Sequence, residues 1–134
     1  MKFLLIDKID SIQPGTKIET HKNLTLAEEY LGDHFPSYPI IPGVLMIEGL
    51  TQSAAWLVRL QQDFAYSIVV LKAVRNVRYS FSLRPGNTMR YIVELKSVDE
   101  ENKVAKFTGE GYVGDRLAVS AKLELTWEIG RAHV

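Results

Sequence analysis

Between Val44 and Leu60 the chain reads VLMIEGLTQSAAWLVRL, and from Val44 to Val58 its only formal charge is Glu48. The run has no proline and no two-residue alternation. It is far longer than the ~5–6 residues of a typical strand, so it predicts an α-helix, roughly 25 Å long at 1.5 Å per residue. A helix that is apolar almost all round has to be wrapped by other structure. That requirement shapes every other reading of the chain.

The remaining segments supply strands to do the wrapping. In Arg116 to Trp127, the apolar residues Leu117, Val119, Ala121, Leu123, Leu125 and Trp127 alternate with Arg116, Ala118, Ser120, Lys122, Glu124 and Thr126. Period two with one apolar face predicts a half-buried antiparallel strand. Met89 to Val98 and Lys103 to Val113 alternate less cleanly, and the polar run Asp99 to Asn102 joins them as a hairpin turn. Phe3 to Ile12 and Gly15 to Leu24 read as a first strand pair. Ser67 to Leu71 and Ala73 to Phe81 read as further strand, and Leu26 to Leu31 as a helical turn. Turn signals such as Pro14-Gly15, Pro85-Gly86 and Gly114-Asp115 punctuate the chain. No repeat or linker divides it, so residues 1–134 are expected to form a single α+β domain: an antiparallel sheet wrapped around one long central helix.

Composition removes several function classes. Sixteen Lys+Arg balance sixteen Asp+Glu, so the net charge is zero. A global attraction to nucleic acid or to an anionic membrane is not expected. There is no cysteine, which excludes a disulfide scaffold, a thiolate nucleophile and a Cys-ligated zinc or iron–sulfur site. The apolar run Phe3 to Ile6 ends at Asp7, short of the ~7–15 residues of a secretory h-region. No run approaches the ~20 apolar residues of a membrane span. The expectation is a soluble, cytoplasmic protein.

Three features could carry chemistry. A carboxylate on an apolar helix is costly unless it is paired or protonated, and Glu48 is such a carboxylate. Thr51, Gln52 and Ala55 follow it at i+3, i+4 and i+7, making one small polar stripe. Glu48 is either an acid poised for catalysis or a structural carboxylate bonded to Gln52 or a loop amide. His34 opens the proline-rich loop HFPSYPIIPG that feeds the helix. It is either a base or a loop histidine bonded to a backbone carbonyl. His21, by contrast, sits in the strand-like KIETHK facing solvent, and His133 in a polar tail. Gly43 stands at the helix N-terminus, where the first amides lack helical partners at the positive end of the dipole. It is either a simple turn glycine or a place where a ligand oxygen approaches closely.

Taken together, HFPSYPIIPGVLMIEGLTQ resembles the active-site segment of the β-hydroxyacyl-acyl carrier protein dehydratases, the FabZ-type enzymes of fatty-acid synthesis with the hotdog fold. The matching residues are His34-Phe35-Pro36, Pro39, Pro42-Gly43-Val44, Glu48 and Gln52, and the spacing from His34 to Glu48 agrees. FabA-type relatives carry Asp at the carboxylate position, so Glu48 points to the FabZ type. Phe3 to Asp7 resembles the family's first strand, Arg84-Pro85-Gly86 its later Pro-Gly turn, and Gly111 to Ala121 its last hairpin. Ser37 and Asn87 depart from the family's usual Gly and Asp.

The resemblance implies a set of roles. His34 removes the C2 proton, Glu48 protonates the departing C3 hydroxyl, and the Gly43 amide bonds the thioester oxygen. The Ile40 carbonyl orients His34, and Gln52 supports Glu48. The apolar helix and sheet form a dry tunnel for the acyl chain. No metal or redox cofactor is implied; the substrate travels on the phosphopantetheine of an acyl carrier protein. The family's homodimer implies a site shared between subunits, His34 of one facing Glu48 of the other, with dimers often assembled into a trimer of dimers. A basic stretch from Phe64 to Val93 contains Lys72, Arg75, Arg78, Arg84 and Arg90 and no acid. It reads either as solvated strand faces or as a docking patch for the acidic carrier protein. Two other readings stay open: a hotdog acyl thioesterase, which activates water with a helix carboxylate and needs no partner histidine, and a non-catalytic acyl-binding subunit.

Overall fold

A computed structural model describes residues 6–23, 43–61, 66–80 and 86–129. Within them lie six strands, β1 (Lys8–Gln13), β2 (Lys17–Asn23), β3 (Tyr66–Tyr79), β4 (Thr88–Asp99), β5 (Val104–Val113) and β6 (Arg116–Ile129), and one helix, α1 (Gly43–Gln61). The strands form one sheet in the order β1-β2-β4-β5-β6-β3, each neighbouring pair antiparallel. Helix α1 lies on one face of this sheet and touches β2 to β6. The expected α+β architecture is therefore present. The first helical turn expected at Leu26 to Leu31 lies outside the described residues.

The two periodicities meet in the core. From the sheet, Ile18, Met89, Tyr91, Val93, Phe107 and Leu123 are enclosed; from the helix, Leu50, Ala54 and Leu57. Complete burial of a leucine side chain contributes about 1.5–3 kcal/mol, so Leu50 and Leu57 anchor α1 strongly. The helix approaches so closely that β5 must be bare beneath it. A Cβ at Gly109 would stand 3.0 Å from Cδ2 of Leu50. At Gly49, on the helix, a Cβ would fall onto the hydroxyl and ring of Tyr91 from β4.

A buried hydroxyl relay fixes the helix against β2. Ser53 Oγ donates to the Gly49 carbonyl at 3.0 Å and lies 2.8 Å from Thr20 Oγ1. Ser53 has one hydroxyl proton, already committed to Gly49, so Thr20 donates to Ser53. Both residues are fully buried.

One strand reading needs correction. Leu117 does not continue the buried face of β6. Gly111 pairs with Val119 but Tyr112 pairs with Leu117, which leaves Ala118 as an extra residue. Ala118 turns inward, wholly buried, and Leu117 is only half-buried. The strand expected from Ser67 to Leu71 and from Ala73 onward is present, and Phe81 lies outside the described residues. β3 is continuous, with an irregularity in its pairing with β6 between Leu71 and Ala73.

The sheet's two edges differ. β1 is six residues long, and Lys8 and Asp10 are exposed on it. A register irregularity between Ile9 and Ser11 breaks it. β3 is fourteen residues long and exposes Val70, Val74 and Tyr79.

Candidate active site

The first residue of α1 is Gly43 and its first turn carries no acid. The amides there have no acceptor within the helix. Glu48 follows five residues later, about 7.5 Å along the axis, and is half-buried among the described residues. It begins a stripe on one side of α1: Glu48, Thr51, Gln52, Ala55, Trp56 and Arg59 line a groove of about 270 Å³, bounded across the gap by Val69 of β3. The spacing explains the groove. These residues recur at i, i+3, i+4, i+7, i+8 and i+11, which is one face of a helix. On the opposite side Leu50, Ala54 and Leu57 are wholly buried. Thr51 uses its hydroxyl internally, donating to the Ile47 carbonyl at 2.9 Å. Glu48 and Gln52 are the other polar side chains lining the groove's upper half.

The expected stripe of Glu48, Thr51, Gln52 and Ala55 is thus brought together. Its continuation through Trp56 and Arg59 escapes sequence reading, because a tryptophan in an apolar helix reads as core. Here Trp56 is 38% exposed, and the Arg59 guanidinium carbon sits 5.6 Å from its ring centre. His34 and Ile40 lie outside the described residues. His21 is not a bare solvent-facing histidine: its Nδ1 lies 2.8 Å from Asp10 Oδ1, across the β1–β2 pair and away from the groove.

The basic residues do not form one uninterrupted patch. Lys72, Arg75 and Arg78 are exposed on β3. Arg90 is on β4, separated from β3 by β5 and β6, which is about 14 Å at one inter-strand spacing per step. It is also engaged, lying 3.7 Å from Glu19 and with its guanidinium carbon 5.1 Å from the Tyr112 ring centre. Arg84 lies outside the described residues. Cations that sequence reading missed fill the gap. Arg75, Lys96, Lys106, Lys122 and Glu124 line a groove of about 480 Å³ across β3 to β4. Arg75 is opposite Lys122, and Lys122 opposite Thr108, so all three point away from α1. Arg75 is bound to Glu124 at 2.8 Å. The signal for Lys106 and Lys122 was their place in the polar half of the β5 and β6 alternation.

A twisted antiparallel sheet holding one long helix against its face is the hotdog fold. A FabA-like domain matches residues 1–122. The 3-hydroxyacyl-[acyl-carrier-protein] dehydratase FabZ of Clostridium kluyveri is 34% identical over 121 residues, covering 90% of this chain and 83% of that protein. The FabZ of Pelotomaculum thermopropionicum is 37% identical over 121 residues, covering 90% and 85%. Among solved structures, the dehydratase heterocomplex ApeI:P from Xenorhabdus doucetiae superposes with a TM-score of 0.77 at 18% identity, covering 93% of this chain and 83% of that one; this likeness concerns the fold alone. The chain belongs to the FabA-like family, among its FabZ-type dehydratases.

Proposed function

We propose that this protein dehydrates 3-hydroxyacyl thioesters carried on acyl carrier protein to trans-2-enoyl thioesters, the dehydration step of fatty-acid synthesis. The observation that carries the reading is the helix carboxylate Glu48 opening a groove just below the helix head at Gly43, whose amides have no acceptor within the helix, in a chain of the FabZ type. The C2 proton is weakly acidic and hydroxide is a poor leaving group, so both need help. His34 takes the C2 proton, and the electron pair moves toward the thioester oxygen. The Gly43 amide bonds that oxygen as negative charge develops, aided by the helix dipole. Collapse of the enolate forms the C2–C3 double bond and expels the C3 oxygen, which leaves as water with a proton from Glu48. His34 then returns its proton to Glu48 by way of solvent. The Ile40 carbonyl orients His34, and Gln52 supports Glu48. The cycle balances without a metal or redox cofactor.

The same reading includes a cytoplasmic homodimer joined through β3, in which His34 of one subunit faces Glu48 of the other, with a trimer of dimers as the higher assembly. The contrast between the short, charged β1 edge and the long β3 edge with its exposed Val70, Val74 and Tyr79 supports that side of the sheet as the joint. Among the described residues no helix is long and apolar enough to cross a membrane. Lys72, Arg75 and Arg78, with Lys106 and Lys122, are the carrier-docking cations; Arg84 and Arg90 belong to the same basic stretch of sequence.

The test is turnover of a 3-hydroxybutyryl thioester followed by enoyl absorbance. His34→Ala and Glu48→Gln each lower kcat by ~10²–10⁴, while His21→Ala stays near wild type. Either dead variant keeping more than a tenth of wild-type kcat, with a native circular dichroism spectrum, would overturn the assignment. Free thiol release in place of dehydration would mean a thioesterase, and no turnover a binding subunit.

A further inference from the structure

The groove that begins at Glu48 does not end in a purely apolar wall. Its far end is Trp56, with Arg59 one turn on and its guanidinium carbon 5.6 Å from the indole centre. Resting on the dehydratase reading above, the order of groups along α1 sets the direction of the bound acyl group. Gly43 at the helix head takes the thioester oxygen on C1, and Glu48 takes the oxygen on C3. The carbons beyond C3 therefore run on in the same sense, past Gln52 and Ala55, toward Trp56. Ala55, small and buried, leaves the path open. From Glu48 to Trp56 is eight residues, about 12 Å of helix axis, which a zigzag of carbon–carbon bonds near 1.5 Å spans in roughly nine or ten bonds.

We propose that the Trp56–Arg59 pair is the terminus of the acyl site and selects acyl groups that end in a flat π-system, such as an aryl ring, over saturated alkyl groups of equal length. The chemistry of the two side chains gives the reason. A saturated chain end against Arg59 takes water from a guanidinium and gives it no partner. A flat π-rich end offers Trp56 a ring to stack on and offers Arg59 a negative ring face. Half-burial of Arg59 and the 38% exposure of Trp56 leave both surfaces within reach of a ligand in the groove.

The experiment compares two 3-hydroxyacyl pantetheine thioesters of equal length, one ending in a phenyl ring and one in a saturated chain. The wild-type protein should favour the phenyl-terminated substrate roughly five- to tenfold in kcat/KM, the worth of one ring stacked on another, with the difference in KM. In Trp56→Ala the ratio should fall to near one, and Trp56→Phe should restore most of it. The ratio is taken within each preparation, so partial misfolding of a variant cancels. A wild-type ratio of one or less overturns the proposal, as does a ratio unchanged in Trp56→Ala. If folded wild-type protein dehydrates neither these thioesters nor the 3-hydroxybutyryl one, the dehydratase reading itself fails and this proposal falls with it.

Discussion

The hydroxyl of Tyr91, on β4, rests against the bare Cα of Gly49 on α1, one residue after Glu48. Tyr91 is 1% exposed and has nowhere to withdraw. The contact sets how deep the helix sits at the point where Glu48 leaves it. Alanine at this position would gain about 1 kcal/mol in helix propensity over glycine, but the added methyl would overlap the phenol ring, and overpacking of this kind costs about 1–3 kcal/mol. Gly49→Ala should therefore lower the urea midpoint and also reduce kcat through displacement of Glu48. The double variant Gly49→Ala/Tyr91→Leu should recover part of the lost stability. A Gly49→Ala protein as stable as wild type would show that the contact is slack.

The Thr20–Ser53 relay predicts a non-additive pair. Ser53→Ala leaves the Thr20 hydroxyl buried without its acceptor, at a cost of about 1–3 kcal/mol. Thr20→Val on top of Ser53→Ala removes the stranded donor and should return much of that loss. Equilibrium unfolding of the four proteins in the cycle measures the coupling; additive losses would mean that the two hydroxyls act separately.

The turn between β4 and β5 should weaken in acid. Asp99 accepts from the Asn102 side chain at 2.8 Å and from its backbone amide at 3.1 Å. The side-chain hydrogen bond first, and the backbone one next, hold the Asp99 carboxyl below the usual range. A depressed carboxyl contributes its stability above the unfolded value, near 3.9, and loses it as pH falls through the lower folded value. Tm of wild type and Asp99→Asn should therefore differ at neutral pH and converge as pH falls below about 4. A constant gap would remove Asp99 from the acid response.

Carrier docking predicts a split between substrates. Arg78→Glu should raise KM for carrier-bound substrate at low salt and leave KM for a pantetheine thioester nearly unchanged. Arg90→Glu should act differently, because Arg90 is already tied to Glu19 and Tyr112; its loss should appear in Tm. Equal effects of Arg78→Glu on both substrates would point to a fold defect.

The proposed sharing of the site between subunits gives an arithmetic forecast. His34→Ala and Glu48→Ala proteins, unfolded together and refolded, form about half mixed dimers by random pairing, and each mixed dimer has one intact site of two. Activity should return to roughly a quarter of wild type by this symmetry count. No return, with exchange of subunits demonstrated, would confine each site to one chain.

The helix was readable from sequence because an apolar run of that length, with Glu48 as its main charge, suits nothing else. The strands were readable where alternation was unbroken, as from Val119 to Trp127. They were misread where a single inserted residue shifted the phase. Ala118 in β6 is such a residue, and nothing in the residue types marks it as an insertion. The upper half of the groove was legible from the spacing of Glu48, Thr51 and Gln52. Its lower half was not, because exposure of Trp56 depends on what α1 packs against, which is a property of the sheet. Lys106 and Lys122 join Arg75 only through strand order, which pairs β6 with both β5 and β3.

The unequal edges of the sheet have a consequence for how far association can run. In the language of polymer chemistry, a subunit with two reactive ends propagates and a subunit with one terminates. Among the described strands, the broken, charged β1 is a capped end and the long β3 the reactive one. In the proposed homodimer, edge-to-edge growth through β3 would stop after one addition, and the pair would offer no reactive edge from which a fibre could extend.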